Sequence, residues 1–201
     1  CSGSAIALQP ETESCDAIVQ VWYAGQEGGQ AIADVLFGDY NPCGKLPVTF
    51  YKTSAQLPDF EDYSMRGRTY RYFSNPLFAF GYGQSYTQFS IGEATVSESG
   101  NTFTLAIPVS NTGKRDGTEV LQIYIRDLSD PEGPLKSLRA FRRVDVKAGQ
   151  TVNAQLTLTP QSFEFFDPET NTVHQKQGNF EVLYGTSSQD SDLKKLPLTV
   201  K

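Results

Sequence analysis

From Ser90 onward hydrophobic and polar positions alternate. Phe103, Leu105, Ile107 and Val109 are spaced by polar or small neighbours. Leu121, Ile123 and Ile125 face opposite Val120, Gln122, Tyr124 and Arg126, and Val152, Ala154, Leu156 and Leu158 alternate with Asn153, Gln155 and Thr157. Period two places one set of side chains on each face of a strand. Further strands are predicted over 138–146, 163–166, 179–184 and 193–200. Turn signals separate them at Asn111-Thr112-Gly113, Asp130-Pro131-Glu132-Gly133-Pro134, Ala148-Gly149-Gln150 and Asp167-Pro168. About seven strands in roughly 110 residues predict an antiparallel, immunoglobulin-like sandwich.

The first fifty residues follow another rule. Ala17-Ile18-Val19-Gln20-Val21-Trp22-Tyr23 is a continuous, mostly apolar run ending at Gly25, the pattern of a strand buried on both faces of a largely parallel sheet. Ala31, Ile32, Val35 and Leu36 then recur on one face of a helix that Gly38 stops. Turn residues at 39–44 lead to a short, edge-like strand at Leu46-Pro47-Val48-Thr49-Phe50. One strand and one helix do not make a sheet domain. The segment is therefore expected to be the last βα unit of a larger domain, in a chain that begins mid-protein; a lipid-bearing Cys1 is the alternative reading of its start.

Between the two lies a segment dense in rings. Tyr70, Tyr72, Phe73, Phe78, Phe80, Tyr82, Tyr86 and Phe89 crowd together, while Pro76, Gly81 and Gly83 forbid a long regular element. Floating linkers are poor in large apolar groups. This one is predicted to be a strap pinned against both neighbours, with packing favoured over a sugar-stacking platform as the role of its rings. The expected fold is thus mainly β: a partial α/β unit at 1–56, an aromatic-rich linker at 57–89, and a β-sandwich at 90–201.

Composition narrows the function. A net charge of −6 repels phosphate backbones, so no nucleic acid is expected as partner. No run approaches the roughly 18 apolar residues of a membrane span. Cys1, Cys15 and Cys43 are too few and too irregular for a zinc motif, and His174 is the only histidine. No metal or other cofactor is expected.

Three blocks resemble the family-3 glycoside hydrolases near their C-terminal end. Trp22 to Gly29, Ala31 to Pro42 and Gly44 to Phe50 resemble the close of the family's αβ-sandwich domain. Gly67 to Phe73 and Phe80 to Thr87 resemble its linker in the β-xylosidase-like branch. Val109 to Gly113, Asp116-Gly117 and Glu119 to Tyr124 resemble its fibronectin type III-like domain. Gln84, where Leu is expected, and Cys43, where a small residue is usual, depart from the pattern. The resemblance implies a periplasmic or secreted enzyme that removes terminal β-linked xylosyl or glucosyl residues from oligo- or polysaccharides. It also implies that the nucleophilic Asp and the acid/base Glu lie in the domains upstream, so no catalytic residue is expected here and the remaining domains of the same enzyme are the expected partners. The competing reading is an autonomous carbohydrate-binding or cell-surface adhesion module.

Substrate-proximal candidates are Tyr23, Gln26 and Glu27, in the loop after a predicted parallel strand, where αβ folds place ligands. For Glu27 the plainer reading is a helix N-terminal acid. Gly25, Gly28 and Gly29 lack the Lys-Ser/Thr of a phosphate loop. Arg68 and Arg71 are expected to pair with Asp59, Glu61 or Asp62. Lys136, Arg139, Arg142, Arg143 and Lys147 are expected to be solvated or edge-protecting, and His174 to sit in an exposed hairpin.

Overall fold

A computed structural model describes residues 1–167 and 169–201; Pro168, in the turn predicted at Asp167-Pro168, lies outside the described residues. The described residues form the α-helices α1 (Gln9–Ser14), α2 (Gly28–Phe37) and α3 (Thr69–Tyr72). Its strands are β1 (Phe89–Ile91), β2 (Thr95–Ser99), β3 (Thr102–Asn111), β4 (Gly117–Asp127), β5 (Ser137–Val146), β6 (Thr151–Leu158), β7 (Glu164–Asp167), β8 (Thr172–Gln175), β9 (Gly178–Gly185) and β10 (Leu193–Val200).

The predicted sandwich is present. In one sheet β3 pairs with β6 on one side and with β1 and then β2 on the other; the facing sheet runs β10-β9-β4-β5, and every pairing is antiparallel. Pro108 explains the break between β1 and β2. Its carbonyl accepts the Gly92 N–H, so its missing N–H would have pointed to that same side. The inward residues from both sheets, among them Leu105, Ile107, Leu121, Ile123, Leu158 and Val182, have no exposed surface. Among the described residues ten strands form where seven were predicted. The additions are β1, β2 and β8, and β2 is exposed at every position, which leaves little hydrophobic alternation to read.

The strap is pinned as predicted, and this alters β4. Tyr124, on the outer face of β4, is wholly buried under Tyr70 and Phe80, which stack with centroids 4.4 Å apart; Tyr70 meets Tyr124 edge-on at 5.6 Å. Beside it Gln122 donates to the carbonyls of Gly81 (3.1 Å) and Thr186 (2.6 Å) and accepts the Tyr124 hydroxyl (2.5 Å). Gly81 has φ +79°, and a Cβ there would come within 2.0 Å of Gln122 Oε1. Only glycine satisfies both conditions. β4 is therefore buried on both faces.

Two predicted strands are absent. Ala17–Tyr23 forms no strand, and Ile18, Val19 and Tyr23 are exposed. A strand requires a neighbour to satisfy its N–H and C=O groups, and the run has none in this chain. Leu46–Phe50 makes only a single bridge, Phe50 to Phe78, though backbone hydrogen bonds to Tyr82, Gly81, Phe78 and Leu77 hold it to the strap.

The charged residues also differ from expectation. Arg68 binds the backbone carbonyls of Asp59 and Asp62, both at 2.9 Å, rather than their carboxylates. Lys136 is buried and held by Asp190 and the Ser188 carbonyl, and Arg139 lies over the Phe165 ring while donating to the Glu164 carbonyl. Lys136 is covered by the connection between β9 and β10, and Arg139 is half-buried against the β7–β8 hairpin. Arg142 and Arg143 remain exposed on edge strand β5, and His174 is exposed on the hairpin, as expected.

Candidate functional site

The loop from Trp22 to Glu27 carries all three candidates. Trp22 adopts φ 54°, a left-handed conformation costly for a bulky side chain, and its ring packs edge-on against buried Phe50 at 6.2 Å. That contact fixes the direction in which the following loop leaves. Tyr23 is 80% exposed. Gln26 is exposed in a turn closed by the Gly28 N–H donating to the Gly25 carbonyl at 3.0 Å. Glu27 is the N-cap residue of α2, and its side chain makes no capping hydrogen bond.

The far end of α2 is held firmly. Gly38 caps it at φ +84°, and its carbonyl accepts from the Arg115 guanidinium. The Tyr86 hydroxyl donates to the Val35 carbonyl at 2.7 Å. Asn41 Nδ2 donates to the Asp116 carbonyl at 3.0 Å, while its Oδ1 accepts from Ser85 Oγ and the Tyr86 N–H. Lys45 and Glu119 form an ion pair at 2.7 Å, both side chains mostly buried. Arg143 donates to Cys43 Sγ at 3.1 Å, and the hydrogen bond between Cys43 and Tyr40 pushes the Tyr40 phenol up. The helix is thus clamped to the sandwich at its C-terminal end, and its N-terminal end, with Glu27, projects freely.

These joint residues escaped the sequence reading. Asn41 lies in the predicted turn, and Asn41 and Lys45 both lie in the blocks that resemble the family, yet nothing in the sequence assigns either a contact with the sandwich. Asn111 lies in the Val109–Gly113 block, yet its role is visible only in space: Oδ1 accepts from Thr87 Oγ1 (2.7 Å) and the Gly113 N–H (3.1 Å), and Nδ2 donates to the carbonyls of Arg115 (2.8 Å) and Val146 (3.0 Å).

Chemically, the arrangement around Glu27 is incomplete. Retaining glycoside hydrolysis needs two carboxyl groups about 5–5.5 Å apart, whereas Glu27 stands on an open surface. No group of three His, Cys, Asp or Glu side chains among the described residues could hold a metal ion. No helix among the described residues is long and apolar enough to cross a membrane.

Comparison with known proteins gives two family matches: the glycosyl hydrolase family 3 C-terminal domain over residues 1–86 and the fibronectin type III-like domain over residues 119–188. The chain is 66% identical to a xylan 1,4-beta-xylosidase of Xylanibacter ruminicola, covering 100% of this chain and 24% of that protein. It is 36% identical to a periplasmic beta-glucosidase of Salmonella typhimurium, over 93% of this chain and 27% of that one. Among solved structures, a beta-glucosidase from Kluyveromyces marxianus in complex with glucose aligns with TM-score 0.89 at 31% identity, over 100% of this chain and 26% of its own. The chain spans 24% and 27% of the lengths of these two sequence relatives.

Proposed function

The chain belongs to glycosyl hydrolase family 3, at its C-terminal end, and from that premise we propose that it is the supporting portion of a β-glycosidase that removes terminal β-linked xylosyl or glucosyl residues. The 66% identity to a xylan 1,4-beta-xylosidase favours the xyloside. The observation that carries the proposal is the contrast between a finished sandwich and an unfinished α/β unit, whose apolar run at 17–23 has no strand to pair with. Preceding domains of the same enzyme would supply that strand's neighbours and both catalytic carboxylates. The family match over 1–86 disfavours an autonomous adhesion or carbohydrate-binding module.

In this reading residues 1–56 close the αβ-sandwich domain, residues 57–89 form the strap and residues 90–201 the sandwich. Tyr23, Gln26 and Glu27 border the active-site cleft, because the clamped helix aims their loop away from the sandwich. The presence of a periplasmic enzyme among the relatives supports an extracytoplasmic location.

The test is hydrolysis of p-nitrophenyl β-xyloside and β-glucoside by the 201-residue chain. It is compared with a chimera joining the chain to the preceding residues of the Xylanibacter ruminicola relative. Turnover by the chimera alone is expected. Turnover by the 201-residue chain would overturn the proposal and point to Glu27 as its first carboxylate.

A further inference from the structure

The loop at 57–66, which leads into α3, is bonded to itself along most of its length. The Asp59 carboxylate accepts the Glu61 N–H (3.0 Å), the Asp62 carboxylate accepts the Ser64 N–H (2.8 Å), and the Asp62 N–H donates to the Asp59 carbonyl (3.1 Å). Besides its two guanidinium bonds to the loop, Arg68 donates its N–H to the Met65 carbonyl at 3.0 Å. At the foot of the loop Thr69 holds φ 57°, a costly conformation for a β-branched residue, and its N–H is fixed by the Tyr51 hydroxyl at 2.8 Å. The backbone of this loop is set by its own residues.

What so fixed a loop presents is apolar. Phe60 is 89% exposed and Tyr63 88%, while Leu57 and Met65 are half-exposed. Scattered apolar residues on a surface are ordinary. Two rings at about 150–250 Å² each, three residues apart, make a patch of the size that marks a binding surface. They are not needed for the packing of the strap, whose own rings are engaged elsewhere: Tyr70 and Phe80 cover Tyr124, and Phe73 packs on Tyr51 at 4.9 Å.

Two observations say what covers them. Most of the exposed large apolar side chains among the described residues precede residue 90, whereas the sandwich has closed its core. The chain also spans only 24% and 27% of the two sequence relatives, so most of each relative's length lies outside the part matched here. We propose that the loop at 57–66 is a preformed knob that inserts Phe60 and Tyr63 into the preceding domains of the same enzyme. The matching face is an apolar recess with hydrogen-bond donors on its rim, since Asp59, Glu61 and Asp62 flank the rings. The inference rests on the supporting role and goes beyond it, placing a contact in the linker as well as in the α/β unit. The two contacts differ in kind. Residues 17–23 need neighbours in order to become a strand, whereas the loop has its shape before the partner arrives.

The test is hydroxyl-radical footprinting of the 201-residue chain and of the chimera carrying the relative's preceding residues. Labelling of Phe60, Tyr63 and Met65 should fall about 5-fold in the chimera as their accessible surface is removed. Phe60→Ser combined with Tyr63→Ser should leave the melting temperature of the 201-residue chain within about 2 °C and lower that of the chimera. Unchanged labelling in the chimera would overturn the proposal, as would a chimera whose melting temperature ignores both substitutions. Labelling that falls only when xylose oligomers are added would assign the rings to a saccharide, and labelling of the 201-residue chain that falls with its concentration would assign them to a second copy; either result overturns the proposal. Turnover of p-nitrophenyl β-xyloside is read on the same chimera sample, so unchanged labelling beside normal turnover removes the knob and leaves the supporting role standing.

Discussion

Val19 and Ile123 both sit in β-branched apolar runs, yet Val19 is 47% exposed and Ile123 is fully buried. Between residues 1 and 50 only Thr49 and Phe50 are buried, whereas the sandwich closes a core drawn from both of its sheets. The difference lies in the neighbours, not in the runs. Ile123 belongs to β4, which has β5 and β9 beside it, β3 and β6 across the core, and the strap on its back. Val19 has none of these. Hydrophobic pattern states what a segment requires, and the rest of the chain decides whether it is met.

Truncation should sharpen this contrast most. Ile123→Ala leaves a cavity in a closed core and is expected to cost about 2–5 kcal/mol, while Val19→Ala should change stability by less than about 0.5 kcal/mol; urea unfolding measures both. Comparable losses would mean that residues 17–23 are packed in solution after all.

Next in size is Asn111→Ala, which leaves the Thr87 hydroxyl and the Val146 carbonyl without their partner. It should cost about 1–3 kcal/mol by the same measurement. A neutral result would show that the junction between strap and sandwich does not depend on this side chain.

Acid should loosen the sandwich through Asp127. Burial pulls its carboxyl up, but hydrogen bonds from Ser129 and Lys176 outweigh that and hold it below the usual carboxylate range. A carboxyl depressed in the folded state stabilises it above the unfolded pKa of about 3.9, and the contribution is lost as pH falls through the folded value. Lys176→Met should therefore flatten the fall of melting temperature below about pH 4. An unchanged acid slope would count against the pair.

The smallest effect is expected where both partners face water. Arg66 and Glu132 pair at 2.9 Å with side chains 78% and 75% exposed, so Glu132→Gln should shift stability by no more than about 0.5 kcal/mol. A larger loss would mean that the pair anchors the loop at 57–66 to the sandwich.

Much of the sandwich was legible because period two survives wherever one face is buried, as in β3 and β6. β2 was not, since all five of its residues are exposed. The strap was legible from its rings, and the end of α2 from Gly38. The run at 17–23 was read correctly as apolar and wrongly as a strand, because pairing is a property of two segments and only one is here. Of the candidate site, the sequence placed Tyr23, Gln26 and Glu27 in one loop, and the structure keeps them there without a second carboxylate. Asn41, Lys45 and Gln122 act across 75, 74 and 41 residues of sequence, distances over which no local pattern carries a signal.

The central claim is that the α/β unit waits for neighbours while the sandwich needs none. Hydrogen exchange followed by mass spectrometry tests it directly, on the 201-residue chain and on the chimera carrying the relative's preceding domains. Residues 17–37 should exchange quickly in the chain alone and become protected in the chimera, with 103–200 protected in both. Protection of 17–37 in the chain alone would contradict the account.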